Sequence, residues 1–288
     1  MADYMADQED DLTERLEAAA ERYETPCGEG RMVWHAWGEG PPLVLLHGGS
    51  GSWRHWARNI GHLARGRRVL APDMPGLGES DLPPRGIDLW DYIGIVTGGL
   101  DALVGADAPY DLAGFSFGGI VAGHVAARDT GRLRSLTLVG AGGLGLPRLP
   151  TPLAKVRSKT GEERIAAHRH NLAVLMFGDS SRIDALALRI QAWNSDHTRL
   201  SSVGLVPEGA LRAVLPGVRA PLNVIYGERD AIAYPFMAER EALFHAIRPD
   251  VTMRVVPGAG HWVGFEAPGA VNALLDKMLP PAATKALT

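Results

Sequence analysis

The sequence has almost no cysteine, no long apolar run and no clustered basic charge. Cys27 is the only cysteine among 288 residues, so no internal disulfide can form, which fits a reducing compartment. A bilayer span takes about 20 apolar residues, and no stretch of the chain approaches that. Net charge is −4 with Lys and Arg scattered, whereas phosphate recognition needs grouped cations, so nucleic acid is not expected as the main partner. Metal ligands are also sparse. His168 and His170 are offset by two residues, which turns about 200° around a helix and puts them on different faces. No metal and no cofactor are expected. Met1–Tyr23 is acidic and lacks both the basic start and the apolar stretch of a signal peptide. A soluble cytoplasmic protein with a small-molecule partner is the expectation.

What is present is an ordinary globular composition, 46% hydrophobic and 22% charged, enough for a sizeable core. Short apolar runs alternate with helical stretches, the pattern of a mostly parallel sheet flanked by helices. Strands are expected at Arg31–Trp37, Leu43–Leu46, Arg68–Ala71, Tyr110–Ala113, Leu133–Val139, Leu222–Tyr226 and Thr252–Val256. Helices are expected at Trp53–Ala64, Leu89–Val104, Phe117–Arg128, Pro235–Ile247 and Ala267–Met278. The rhythm breaks once. Between Val139 and Leu222 the chain spends about eighty residues where a dozen or more suffice for a crossover. Glu162–Phe177 and Ser181–Asn194 carry helical periodicity inside it. The division expected is an N-terminal arm (1–24), an α/β core (25–145 and 207–288) and a helical cap (146–206). Pockets of open α/β sheets form at the strands' C-terminal edge, which such a cap would cover.

Chemistry concentrates at Gly114-Phe-Ser116-Phe-Gly118, which joins a strand end to an apolar helix start. A sharp strand-to-helix turn lifts a serine hydroxyl above the sheet, and glycine on both sides avoids clashes there. The helix N-terminus then offers N–H groups to negative charge forming beside the serine. Serine needs a base, and the base must be oriented. His261, in the loop after the last strand, is the base. Asp230, after the preceding strand, is chosen over Glu228 as the orienting acid, because the Gly227 turn needs a few residues to carry a carboxylate across. The N–H groups of Gly49 and Phe117 would form the oxyanion hole, with Ser50 as an alternative donor; one such donor is worth about 3 kcal/mol of barrier. His47 is read as an anchor for its loop. Gly140-Ala-Gly142-Gly-Leu-Gly145 matches a dinucleotide fingerprint, but Pro147, Pro150 and Pro152 block the helix that the fingerprint requires.

His47-Gly-Gly, Asp73-Met-Pro-Gly76-Leu-Gly78-Glu-Ser80, Gly114-Phe-Ser116-Phe-Gly118, Gly227-Glu-Arg-Asp230 and Gly260-His261-Trp262 together resemble the α/β-hydrolase superfamily, in its order, over about 31–278. The resemblance implies an eight-stranded, mostly parallel sheet and a Ser-His-Asp triad. Within the superfamily the chain is most similar to the meta-cleavage product hydrolases, which cut carbon–carbon bonds in ring-opened aromatic dienoates. Those enzymes often carry Gly-Pro-Gly where this chain has Gly49-Ser50-Gly51. Their substrates bear a carboxylate, which implies a pocket cation; Arg199 is the candidate, with Asn194 beside it. Trp262 would either stack on a flat substrate or pack against the cap. A carboxylesterase on small esters, a cofactor-free perhydrolase and a hydrolase-fold small-molecule sensor with little turnover are the alternatives.

Overall fold

The computed structural model describes residues 12–202 and 204–281. Eight strands form one sheet in the order β1-β2-β4-β3-β5-β6-β7-β8. They are β1 (Glu21–Cys27), β2 (Gly30–Trp37), β3 (Pro42–Leu46), β4 (Arg68–Pro72), β5 (Tyr110–Phe115), β6 (Leu133–Val139), β7 (Leu222–Gly227) and β8 (Thr252–Val256). Strand β2 pairs antiparallel with both its neighbours, and every pairing from β4 to β8 is parallel. The strand expected at Arg31–Trp37 is therefore present, but an edge strand precedes it. Glu21–Cys27 lies partly inside the expected arm, and so does helix α1 (Leu12–Ala18). Residues 1–11 of that arm lie outside the described residues.

Burial on both faces follows from the alternation of side chains along each strand. Val44 and Leu46 of β3 join one apolar cluster while Leu43 and Leu45 join the other. Against the first face pack α3 (Leu89–Val104) and α4 (Phe117–Arg128); against the second pack α2 (Ala57–Leu63) and α10 (Pro268–Met278). Helix α3 opens on a capping box, Asp88 accepting from the Asp91 N–H at 2.8 Å while Asp91 accepts from the Asp88 N–H at 3.2 Å. Trp34, Trp37, Trp53 and Trp56 are all core residues, as their sequence context suggests.

Between β6 and β7 run α5 (Gly161–Asn171), a π turn (Leu172–Met176), α6 (Ala185–Asp196) and the short α7 (Ala210–Val214). The remaining helices are α8 (Met237–Ile247) and α9 (Val263–Glu266). No described helix is long and apolar enough to cross a membrane.

The end of β7 touches the loop after β8 through glycine. A Cβ on Gly227 would sit 2.1 Å from the Gly260 carbonyl oxygen and 2.3 Å from that of Ala259. Gly227→Ala should therefore cost about 1–3 kcal/mol or more through overpacking, lowering the thermal midpoint by several degrees. An unchanged midpoint in a thermal melt would contradict this close approach.

Candidate active site

Register brings the site together. Leu46 of β3 pairs with Gly114 of β5, so the loop after β3 (47–52) and the turn at Ser116 between β5 and α4 emerge side by side. Ser116 sits at the turn into α4 with φ +51, a strained conformation for a residue with a side chain. Glycines make the turn tight enough. A Cβ on Gly118 would lie 2.4 Å from the carbonyl oxygens of Leu46 and His47, and one on Gly114 would lie 2.2 Å from that of Gly118.

Next along the sheet, β7 and β8 deliver the other two groups. The Ser116 hydroxyl lies 2.9 Å from His261 Nε2, and His261 Nδ1 lies 2.9 and 3.0 Å from the two carboxylate oxygens of Asp230. Asp230 is fully buried and also accepts the Ile232 N–H at 2.9 Å. Its carboxylate therefore leaves the proton on Nδ1, and Nε2 faces the hydroxyl as an acceptor. Gly140, the first glycine of the fingerprint-like run, packs against this pair: a Cβ there would be 3.1 Å from Asp230 Oδ2 and 3.2 Å from His261 Nδ1.

Gly49 and Phe117 line the same cavity as Ser116, and their N–H groups have no hydrogen-bond partner among the described residues. Ser50 beside them adopts φ +47. His47 anchors this loop in both directions: Nδ1 meets the Gly48 carbonyl at 2.7 Å and Nε2 accepts the Met74 N–H at 2.9 Å. Asp73, also fully buried, accepts the N–H groups of Trp53 (2.8 Å) and Glu79 (2.9 Å).

The site opens into a cavity of about 710 Å³ lined by Ser116, His261, Gly49, Phe117 and side chains of the β6–β7 segment. From α6 come Gln191, Ser195 and, just beyond it, Thr198; from the coil between β6 and α5 come Arg148, Lys155 and Arg157. Among the described residues, no carboxylate lines it. A second cavity of about 870 Å³ lies by the β1–β2 turn and includes none of Ser116, Asp230 and His261.

The three expected substrate contacts face elsewhere. Asn194 is buried and its Oδ1 accepts the Ser52 hydroxyl at 2.6 Å, tying α6 to the loop after β3. Arg199 donates to the carbonyls of Gly78 (2.8 Å) and Ser80, so its charge is spent bracing the loop after β4. Trp262 is buried, stacks on Phe265 at 4.0 Å and donates to the His55 carbonyl at 2.8 Å. It packs and does not line the cavity.

Sequence reasoning missed two residues here. Glu266 accepts the N–H groups of Gly178 (2.9 Å), Asp179 (2.9 Å) and Gly260 (2.6 Å), fastening the β6–β7 segment to the residue before His261. His55 is buried in the cavity wall and accepts the Gly48 N–H at Nδ1. Neither belongs to a recurring motif in the sequence. Away from the site, Glu17, His35 and Glu79 each bring one ligand-type atom within 4.8 Å of the others, but the Arg54 guanidinium bonds Glu17 at 2.7 Å and supplies the positive charge.

Comparison with known proteins fits this geometry. The alpha/beta hydrolase family pattern matches residues 43–274. The chain belongs to that family. It is 29% identical to 2-hydroxy-6-oxo-6-phenylhexa-2,4-dienoate hydrolase of Burkholderia cepacia over 91% of this chain and 97% of that one. It is also 30% identical to the pimeloyl-[acyl-carrier protein] methyl ester esterase of Chromobacterium violaceum, covering 78% of this chain and 88% of the relative. The solved carboxylesterase CesB of Bacillus subtilis superposes with a TM-score of 0.74 at 21% identity, covering 96% of each chain, a likeness of fold.

Burial pushes the imidazole of His47 below its ordinary range and that of His55 well below it, so both are neutral in the folded hydrolase. The unfolded chain takes up protons below about pH 6.5 that the folded chain refuses, so stability falls as pH drops through that value. Each such proton contributes up to about 1.4 kcal/mol per pH unit. Urea midpoints measured from pH 8 to pH 5 should be flat above about 6.5 and decline below it. A flat profile down to pH 5 would contradict the buried neutral histidines.

Proposed function

We propose that this hydrolase works through an acyl-enzyme, with Ser116 as nucleophile, His261 as general base and acid, and Asp230 as the group that orients and stabilises the imidazolium. The observation that carries the reading is the hydrogen-bonded chain from Asp230 through His261 to Ser116, ending in a cavity. In the first half-reaction the Ser116 oxygen bonds to a substrate carbonyl carbon while its proton passes to His261 Nε2. The carbonyl oxygen becomes an oxyanion opposite the N–H groups of Gly49 and Phe117. The leaving group departs with the bonding electron pair and takes the proton from His261. Water then attacks the acyl carbon as His261 takes its proton, and the bond to Ser116 breaks as His261 passes that proton to the Ser116 oxygen, releasing the acid.

The proposed substrate is a small organic acid bearing a reactive carbonyl. Apolar lining from Leu153, Leu175, Met176 and Ile232 suits a hydrocarbon body, and the cationic mouth suits a carboxylate. Arg148, Lys155 and Arg157 take the role first assigned to Arg199. Arg148 and Lys155 have no acidic partner among the described residues, so their charge is free for a ligand. The Burkholderia cepacia relative favours a ring-opened aromatic dienoate, in which the bond cut is carbon–carbon. His261 would first move a proton to convert the dienol to its keto form, so that the departing carbanion is delocalised. The Chromobacterium violaceum relative, a methyl ester esterase, favours a second reading, a carboxylesterase acting on small esters. We assign the 146–206 segment as the substrate-covering cap and the cytoplasm as the location, the buried unpaired Cys27 being suited to a reducing compartment.

The test is turnover of a ring-opened dienoate against short p-nitrophenyl esters. Dienoate cleavage should dominate, and Ser116→Ala should lose at least about a thousandfold in kcat. Replacing Arg148 and Lys155 together by Ala should raise KM for the dienoate about tenfold with little change in kcat, while Arg199→Ala should lower the thermal midpoint and leave KM within about twofold. Ester preference would select the second reading. No Ser116-dependent turnover of either would contradict both and favour a ligand sensor.

A further inference from the structure

His55 is a cavity residue that the chemistry above does not use. Its ring touches the site from several sides. It lies edge-on to Phe115, the residue before the nucleophile, with centroids 5.3 Å apart, and edge-on to Trp262 at 5.1 Å. His47 is 6.2 Å away, and a Cβ on Gly51 would fall 2.2 Å from His55 Cε1. The ring therefore fills the space beneath the 48–51 loop, held by packing on each side.

Its hydrogen bond has a consequence for Gly49. The Gly48 N–H donates to His55 Nδ1 at 3.2 Å, while the Gly48 carbonyl is held by His47 Nδ1 at 2.7 Å. One glycine is thus gripped at both polar atoms by two imidazoles. In a planar trans peptide the C=O and the following N–H point in opposite directions. Fixing the Gly48 carbonyl toward His47 therefore fixes the Gly49 N–H in the opposite direction. Gly48 has no freedom to yield on its other flank, since a Cβ there would lie 2.9 Å from the Phe115 ring and 3.3 Å from Ser116 Cβ.

We propose that His55 is a positioning residue for the oxyanion hole: its unprotonated Nδ1 accepts the Gly48 N–H and, together with His47, locks the 48–49 peptide so that the Gly49 N–H is aimed before substrate arrives. The inference rests on the oxyanion role given to Gly49 above. It requires one tautomer. With Nδ1 as acceptor, the neutral ring carries its proton on Nε2, which has no hydrogen-bond partner among the described residues. The titratable groups nearest the ring are the imidazoles of His47 and His261, with Asp73 acting on His47. A proton added at Nδ1 would set two donors against each other and release Gly48.

Two measurements test this. The imidazole 15N shifts of His55, identified by their loss in His55→Asn, should show protonated Nε2 and bare Nδ1 at pH 7.5; a protonated Nδ1 would overturn the proposal whether or not any substrate is found. The second reads the hole itself through the rate at which diisopropyl fluorophosphate labels Ser116, because the P=O oxygen needs the same donors. His55→Asn, whose Oδ1 can replace Nδ1 as acceptor, should label within about threefold of the natural chain, whereas His55→Phe should label about 10- to 100-fold more slowly with a normal thermal melt. Equal rates in the two variants would overturn the positioning role. Should His55→Phe fail to fold, His55→Met carries the same comparison. Failure of the unaltered chain to label would instead remove the nucleophile reading on which this proposal stands, a result separable from the 15N outcome.

Discussion

Gly118 packs against the carbonyl oxygens of Leu46 and His47 more closely than any side chain allows, and the site depends on that approach. It lets α4 begin directly beside the end of β3, so the Ser116 turn and the loop after β3 share one wall. The same device recurs where β7 meets the loop after β8, at Gly227 and Gly260. Each contact joins two backbones with nothing between them. Such contacts have little lateral freedom, and side-chain groups a few ångströms away inherit that stiffness. The Ser116–His261–Asp230 chain spans the ends of three strands, and its short hydrogen bonds exist because those strand ends cannot drift.

A second layer of constraint is polar and buried. Glu266 takes three backbone N–H groups, two from the β6–β7 segment and one from Gly260. Asn194 reaches from α6 to Ser52, and Arg199 reaches from beyond α6 to the loop after β4. The β6–β7 segment is therefore stapled to the loops that carry His261 and Gly49. The position of that segment and the geometry of the Ser116 site are consequently linked through the same few bonds. Two buried neutral histidines complete the arrangement on the Gly48 side, at a cost in acid stability.

Much of this was legible in the sequence, for identifiable reasons. Strands β2 to β8 are apolar runs bounded by turn residues, and their edges agree with the structure to within a residue or two. The turn around Ser116 was readable because its glycines are required by sterics. Strand β1 was not, because Glu21-Arg-Tyr-Glu-Thr-Pro-Cys is an edge strand whose polar, exposed residues give no apolar run. The β6–β7 segment was the least legible part. Helix α6 shows the cavity Gln191 and Ser195, four residues apart, with Thr198 following; Asn194 sits one residue, about 100°, off that stripe and faces Ser52 instead. Periodicity alone could not tell which stripe faced the cavity. The cations at its mouth come from the proline-rich coil, which has no periodicity to read.

The central claim is that Ser116 is an activated nucleophile, made so by His261 and Asp230. The most direct measurement is to treat the folded protein with a fluorophosphonate at neutral pH and locate the adduct by intact-mass and peptide mass spectrometry. A single adduct per chain, on the peptide containing Ser116 and abolished in Ser116→Ala, is the predicted result. An unmodified protein, or an adduct on another residue with Ser116 untouched, would contradict the account.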